Sequence, residues 1–540
     1  MRPPNWNPAV ELSKTEQKVV LGIRKAKLFV FLRENRHELF NDEFQEELAT
    51  LFKDSTVGKS PIPPSQLALA IILQAYTGVS DDEVIEALVM DRRWQLVLNC
   101  LDCEQAPFGK GTLVRFRAVL IAKGFDRRLL ERTVEMAKNK GGFSSRSLRA
   151  ALDSSPLWGA ARVEDTYNLL GHALRKALNV IARQQERELA TVAAEAGAEM
   201  TAGSSLKGAL DLDWDDPVAK AQALSTILKA LNEVESWVEQ LPNLDETTSK
   251  QVQDSLAVGR KVQAQDVEEA TDGSPKLRKS VAKERRISIE DAEMRHGRKS
   301  RSQRVDGYKR HVLKDLDIGL VRAVGITPAN VPEAAVTQEI FVDLNSQKVE
   351  LKELHIDSVR TRQLFKKLAT TAPTYLSSSL VKERSEELTI ICKAWPVRNG
   401  QRFDKSAFTL DWKNNLIHCP HQVAVPFQQG QVIHFPANVC AECPLRERCT
   451  TSKTSSSVSV HPDEKLLQEL RDRQLTPAGR AKLRERVAVE HTLAHIGQWQ
   501  GYRARYIGIR KNLFDLRRMA VVHNLHVIAR MPEPAIDEAA

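Results

Sequence analysis

The stretch RSLRAALDSSPLWGAARVEDT, residues Arg146–Thr166, decides the fold. Arg146–Asp153 is a short apolar run of the kind that forms a buried strand. It ends in one carboxylate, Asp153, and two serines and a proline follow at once. A strand-terminal aspartate commonly does no more than start a turn. Asp153 therefore carries meaning only if the chain supplies partners for it. ELHID, residues 353–357, repeats the pattern and delivers Asp357 to the end of a second apolar strand. In open α/β sheets, ligands and catalytic groups collect at the carboxyl ends of strands. Two aspartates on neighbouring strand ends are close like charges, and both stay ionised only with a cation between them. Mg²⁺ suits such an all-oxygen site. The third piece is LRERVAVEHTLAHIGQWQGYRARYIGIRKNLFDLRR, residues Leu483–Arg518. Arg486 and Glu490 lie four apart, on one helix face between apolar flanks at Val487 and Val489. A surface ion pair is the plain alternative. The helical pattern runs on into Arg503, Arg505, Arg510, Lys511, Arg517 and Arg518, opposed only by Asp515, and reads as a phosphate-binding stripe.

Around these pieces the pattern is mixed. Residues 308–314, 318–326, 353–357 and 388–393 read as strands, and VPEAAVTQEIFVDL as a helix opened by Pro332. Strands interleaved with helices predict a mixed α/β sheet. Residues 163–270 are helical in pattern, with Leu224, Ile227, Leu228, Leu231 and Val234 on one face, and TDGSPKLRKS (271–280) reads as a linker. The front of the chain is helical. PIPPSQLALAIILQAYTG stops near Gly78, Ser80 and Glu83 form a capping box, and GKGTLVRFRAVLIAKG carries Arg115 and Arg117 on a helix that Thr112 caps. Helix, turn and basic third helix is a DNA-binding arrangement, and also an ordinary way for small helical domains to pack. Between Arg295 and His311, seven Lys/Arg face one Asp. Arg298, Lys299, Arg301, Arg304 and Lys309 are candidate DNA-backbone contacts there, with a solvated loop as the alternative.

The 540 residues carry 79 Lys+Arg against 70 Asp+Glu, a net +9 that favours a polyanionic partner. No apolar run of about 18 residues exists to span a membrane, and the N-terminal stretch lacks the apolar region of a secretory signal. Of seven cysteines, Cys419, Cys440, Cys443 and Cys449 cluster as C-x20-C-x2-C-x5-C. Four thiolates with a C-x2-C knuckle fit a structural tetrahedral Zn²⁺ site; reduced free thiols are the alternative, and His418 and His421 flank Cys419. Cys100 and Cys103 have no partner pair and read as buried thiols. His491 and His495 lack the pattern of a zinc pair, but stand where either could meet a phosphate.

These residues carry a resemblance. ALDSSPLWGAARVEDTYNLLG, EMRHGRKSRSQRVDGYKRHV, ITPANVPE, LHID, CKAWPVRNG, CAECPLRERC and the Glu490 segment, together with PIPPSQLALAIILQAYTGVSDDEVIEAL, span most of residues 60–530. Over that span the chain resembles a DDE-type transposase of a bacterial insertion sequence. The resemblance implies an RNase H-like mixed α/β core split by a helical insertion, behind an N-terminal all-helical domain and with a small zinc-binding insertion. It implies catalytic roles for Asp153, Asp357, Glu490 and Arg486, with Asp153 bridging two Mg²⁺ or Mn²⁺ ions and Asp357 and Glu490 each fixing one. The expected divisions are 1–140 (DNA-binding), 141–162 and 281–398 (core), 163–280 (helical insertion), 399–465 (zinc) and 466–540 (catalytic helix and basic tail). The implied activity is metal-dependent cleavage at transposon ends, followed by transfer of the freed 3′-hydroxyl into target DNA. The implied setting is double-stranded DNA, a homodimer on paired ends and the bacterial cytoplasm. Two departures stand out. Leu483 and Gly497 occupy positions where some relatives have Tyr and Lys, and SVRTRQLFKKLATTAPT separates Asp357 from YLSSSLVKER. A catalytically impaired DNA-binding derivative, or a metal-dependent nuclease without strand transfer, are the alternatives.

Overall fold

The computed structural model describes residues 2–532 except 54–59, 142, 144–146, 243, 300–301, 358–387, 395–396, 398 and 463. Its centre is a mixed sheet of six strands: β1 (Ser147–Trp158), β2 (Arg295–Arg298), β3 (Arg304–Asp315), β4 (Val321–Pro328), β5 (Glu350–His355) and β6 (Thr389–Ile391). The order is β4-β3-β1-β5-β6, and β2 shares the outer edge of β3 with β4. β1, β3 and β4 pair antiparallel; β5 and β6 run parallel to β1. Both edges of β1 and β3 are paired, and their apolar residues pack on each face, with Ala150, Ala151, Leu157, Val312 and Leu313 buried.

β1 corrects one expectation. Asp153 does not end the strand, which continues through Ser154, Ser155 and Pro156 to Trp158. Among the described strands, β3 alone holds the continuation, from Leu152↔Leu313 to Trp158↔Gly307, because the parallel pairing with β5 stops at Ala151↔His355. Pro156 lacks an N–H and is tolerated on this half-open edge. Beyond it, the segment after the Glu490 helix covers the strand: the Trp158 N–H donates to the Tyr502 carbonyl (2.8 Å), and the Ala504 N–H to that of Trp158 (2.6 Å). Gly307, opposite Trp158, has φ +151°, and a Cβ there would sit 2.3 Å from the Gly159 nitrogen.

Eight described helices precede β1. The Ser80–Glu83 capping box forms at the start of Asp81–Met90. Lys110–Lys123 is capped by Gly109 instead, with Thr112 already inside the helix. The helix Ile509–Ile528 is buried along almost its whole length and joins these helices to the sheet in one hydrophobic core, through Phe514, Leu516, Met519, Val522 and Leu525. Polar pairs pin the same junction: Arg518 donates to Gln74 (3.1 Å) and Asn524 to Thr133 (2.9 Å).

Residues 166–266 are helical, with a separate core around Leu170, Leu174, Ile227, Leu231 and Val252. The expected linker at 271–280 is partly a hairpin, Val267–Glu269 paired with Pro275–Leu277, turning at Gly273 with φ +80°. The cysteine-rich segment has its own small core of Phe408, Ile417, Phe427, Ile433, Phe435 and Val458. Among the described residues, no helix is long and apolar enough to cross a membrane.

Candidate active site

The parallel register assembles the acids. Arg149, Ala151 and Asp153 alternate along β1 on one sheet face; Glu353 and His355 do the same along β5, with Arg149 opposite Glu353 and Ala151 opposite His355, and Asp357 lies two residues past the end of β5. Asp153 and Asp357 follow two residues later, beside each other past the end of the pairing. Glu490 comes from the helix Val487–Gln500, which packs across β1. Arg486, at the N-cap of that helix, donates to Asp153 Oδ2 (2.8 Å) and to Glu490 Oε1 (2.5 Å). The Ser154 N–H donates to Asp153 Oδ1 (2.8 Å), and the Ser154 hydroxyl donates to Glu333.

Burial pushes the Asp153 carboxyl above the usual aspartate range. The Ser154 N–H and the Arg486 guanidinium oppose that rise, while the charges of Glu490 and Asp357 add to it. Arg486 thus ties Asp153 to Glu490, and the Asp357 charge is felt at Asp153, but among the described residues the three carboxylates do not lie within 4.8 Å of one another. The donor set is all oxygen, and its residual charge is what a divalent cation neutralises.

Beneath this group lies a second polar cluster that sequence reasoning missed. Glu353 Oε1 accepts from His355 (2.8 Å), Arg149 (3.0 Å) and Lys482 (3.0 Å), and Arg149 also pairs with Glu485. These donors hold the Glu353 carboxyl down at about 2 despite burial, which acts to raise it. The ligand atoms of Glu353, His355 and Glu485 all lie within 4.8 Å of one another, close enough to share a metal ion. Arg149 and Lys482 already balance the two carboxylates there, so the cluster is a charge-paired brace between β1, β5 and the chain leading into Arg486. Its signal was the period of two counted back from Asp153 and Asp357.

The basic candidates divide. The helix holding Glu490 ends at Gln500, where Gly501 turns with φ +78°, and a loop leads to a second helix at Ile509. The continuous basic stripe is therefore not formed. Arg517 and Arg518 are buried, paired with Asp126, Asp343 and Asp515. Arg510 pairs with Asp126, Arg503 donates to the Gly159 and Ala160 carbonyls, and Arg505 to that of Gly78. Arg117 forms a two-pronged ion pair with Asp81, its side chain 11% exposed, so it is bound to its own domain rather than offered to a groove. Arg304 pairs with Asp306 and Lys309 donates to the Val331 carbonyl. Arg115, Arg298, Lys299 and Lys511 are exposed; Arg301 and the SVRTRQLFKKLATTAPT segment lie outside the described residues. The run expected as a loop is a hairpin, β2 with β3, closed at the tip by the Lys299 N–H donating to Gln303.

Cys419, Cys440, Cys443 and Cys449 surround one cavity of about 30 Å³. Burial raises the Cys449 thiol, and the other three thiols raise it further. The four thiols share this cavity, but among the described residues the group whose ligand atoms all lie within 4.8 Å of one another is Glu353, His355 and Glu485, not the cysteines. His421 also lines the cavity. Cys100 is buried, its thiol pushed up to about 12, but Cys103 is exposed. His491 is exposed beside Glu490, whereas His495 turns away and packs on Trp499 (4.3 Å between ring centres).

Two family models match the chain. Residues 419–529, which include the cysteine cluster, Arg486 and Glu490, match a transposase DDE domain, and residues 29–119 match a transposase domain (DUF772). Together they support a DDE-type transposase of the insertion-sequence type. No curated protein and no solved structure matches the chain.

Proposed function

We propose that the chain cleaves DNA at transposon ends and joins the freed 3′-hydroxyl to target DNA, with Asp153, Asp357 and Glu490 as the catalytic acids. The observation that supports this reading is the placement of Asp153 and Asp357 two residues past one paired couple, with Glu490 tied to Asp153 through Arg486. The strand order β4-β3-β1-β5-β6, antiparallel on one side of β1 and parallel on the other, supports an RNase H-like core interrupted by the helical insertion. Asp153, held by β3 just beyond the last rung with β5, would hold divalent ions together with Asp357 and Glu490. Bound Mg²⁺ or Mn²⁺ supplies an activated nucleophile and stabilises the leaving oxygen. Arg486 keeps Asp153 and Glu490 together, and the Arg149–Glu353–Lys482–Glu485 brace fixes where Arg486 stands.

The same reading takes double-stranded DNA as partner and substrate, a homodimer on paired ends, the cytoplasm as location and Zn²⁺ in the four-cysteine cavity. It assigns residues 1–140 to DNA binding and 466–540 to the catalytic helix and tail. Arg115, Arg298, Lys299 and Lys511 remain as phosphate-binding candidates.

The test is Mg²⁺-dependent cleavage of a duplex carrying the element's own terminus, read alongside joining to a second duplex. Asp153→Ala, Asp357→Ala and Glu490→Gln each abolish both reactions and leave duplex affinity within a few-fold of the parent. A variant that cuts at the parental rate removes that residue from the catalytic set.

A further inference from the structure

A groove of about 490 Å³ opens between the helices Lys14–Gly22 and Lys27–Leu39 and the start of Arg92–Leu98. Five of the residues lining it are cationic: Lys18, Arg24, Lys25, Arg92 and Arg93. None is acidic and none is aromatic. Arg93 is tied to Asp91 (2.6 Å). The side chains of Lys18, Arg24, Lys25 and Arg92 are exposed and make no ion pair with any described residue. Several other cations of the molecule are consumed internally: Arg33 by Glu16, Arg117 by Asp81, Arg510 and Arg517 by Asp126. Here four cations line one concavity that no acidic side chain lines.

We infer that this groove is a phosphate clamp for duplex DNA, outside the catalytic site and outside the basic segments already considered. The inference rests on the proposed DNA-processing function and adds where the protein grips its substrate. The lining chemistry selects the ligand. Single-stranded nucleic acid is held by stacking its bases on aromatic rings, and the groove has none. Base reading in a duplex needs side chains fitted into a groove of the DNA, whereas Lys and Arg side chains spread over an open surface meet the sugar-phosphate backbone. Arg24 and Lys25 sit in the short connection between two helices, and Lys18 and Arg92 flank it, so the charges form a patch rather than a point. A patch fits successive phosphates along a strand, and neutralising them releases condensed counterions.

The experiment uses the full chain with Lys18→Ala, Arg24→Ala, Lys25→Ala and Arg92→Ala combined. Affinity is measured across a salt series, on random-sequence duplex and on one of its strands alone. In the variant, the slope of log K against log salt on duplex falls by up to ~3.6, about 0.9 for each phosphate the protein no longer neutralises. Single-strand affinity changes less, and the ratio between terminus and random duplex stays within about twofold because phosphate contacts carry no base information. A second variant, Lys18→Glu with Arg92→Glu, gives a larger loss of duplex affinity, and unchanged thermal melting of both variants shows that the fold is intact. An unaltered duplex slope overturns the clamp while leaving the DNA-processing function standing. Parent protein that binds no duplex at all overturns both. Equal losses on duplex and single strand overturn the assignment to duplex.

Discussion

Asp153 and Asp357 stand the same two residues beyond one paired couple, Ala151 opposite His355, the last rung of the parallel ladder between β1 and β5. The ladder brings the two carboxylates side by side and then ends, so the space between them is left open. Arg486 supplies the positive charge present there, through Asp153 and Glu490.

Removing that charge gives the first prediction. Arg486→Ala leaves the three acids facing one another, and Mg²⁺ or Mn²⁺ then binds without a competing cation. One unit charge at about 4 Å is worth ~1 kcal/mol in water and ~4 kcal/mol near a protein surface. Divalent affinity by calorimetry should rise roughly fivefold or more, while cleavage falls. A drop in affinity would mean that Arg486 organises the acids more than it opposes a cation.

The brace beneath the site predicts a pH-dependent loss. The Glu353 carboxyl is held near 2, so its stabilising pairs are present above the ordinary glutamate range and are lost as pH falls from about 4.5 towards 2. Glu353→Gln should cost ~1–3 kcal/mol at pH 7, the penalty for leaving charged donors half-satisfied, and the gap to the parent should close in that acid window. Cleavage should weaken through turnover rather than through duplex affinity, because Glu353 touches only the residues that position Arg486.

The four-cysteine cavity predicts one tightly held Zn²⁺ per chain by elemental analysis. Cys440→Ser or Cys443→Ser should remove it and make residues ~400–460 the first protease-sensitive segment, since thiolate binding is coupled to local folding. The separate core of that segment, around Ile417 and Phe435, makes local opening possible without disturbing the sheet. Protein purified under reducing conditions with no zinc would refute the site.

A histidine cluster predicts acid sensitivity. His523 and His526 both sit at about 4, chiefly through burial. Around them are His495, Lys314 and Arg530, all repelling an added proton, while the Gly319 carbonyl opposes them at His523. Among the described residues, His523 Nδ1 and His526 Nε2 have no hydrogen-bond partner. The unfolded chain takes up these protons near pH 6.5 and the folded chain only near 4, so stability falls as pH drops through that interval. His526→Phe keeps the ring against Trp499 (5.3 Å) and Tyr76 (5.5 Å) and should flatten the acid limb by one proton in a chemical-denaturation series.

The mixed sheet and the helices of residues 166–266 were legible because apolar runs and the periods of two and of 3.6 are local signals. What was not legible depends on partners distant in the chain. Arg117, Arg510, Arg517 and Arg518 look like DNA contacts until Asp81, Asp126, Asp343 and Asp515 are seen beside them. β1 seems to turn at Ser154–Pro156 until β3 is seen holding it from one side. The uncompensated groove was hidden in the opposite way: Lys18, Arg24, Lys25 and Arg92 form no charge run, and they gather only when three helices meet.

The buried helix Ile509–Ile528 has a consequence for how the protein is made. Its side chains complete the core begun by Pro64–Thr77 and Phe125–Gly141, several hundred residues earlier. While the ribosome is still translating the middle of the message, those early helices expose the apolar surface that this last helix later covers. A nonsense codon or frameshift anywhere upstream of Ile509 thus yields a product with an open core rather than a shortened but working protein.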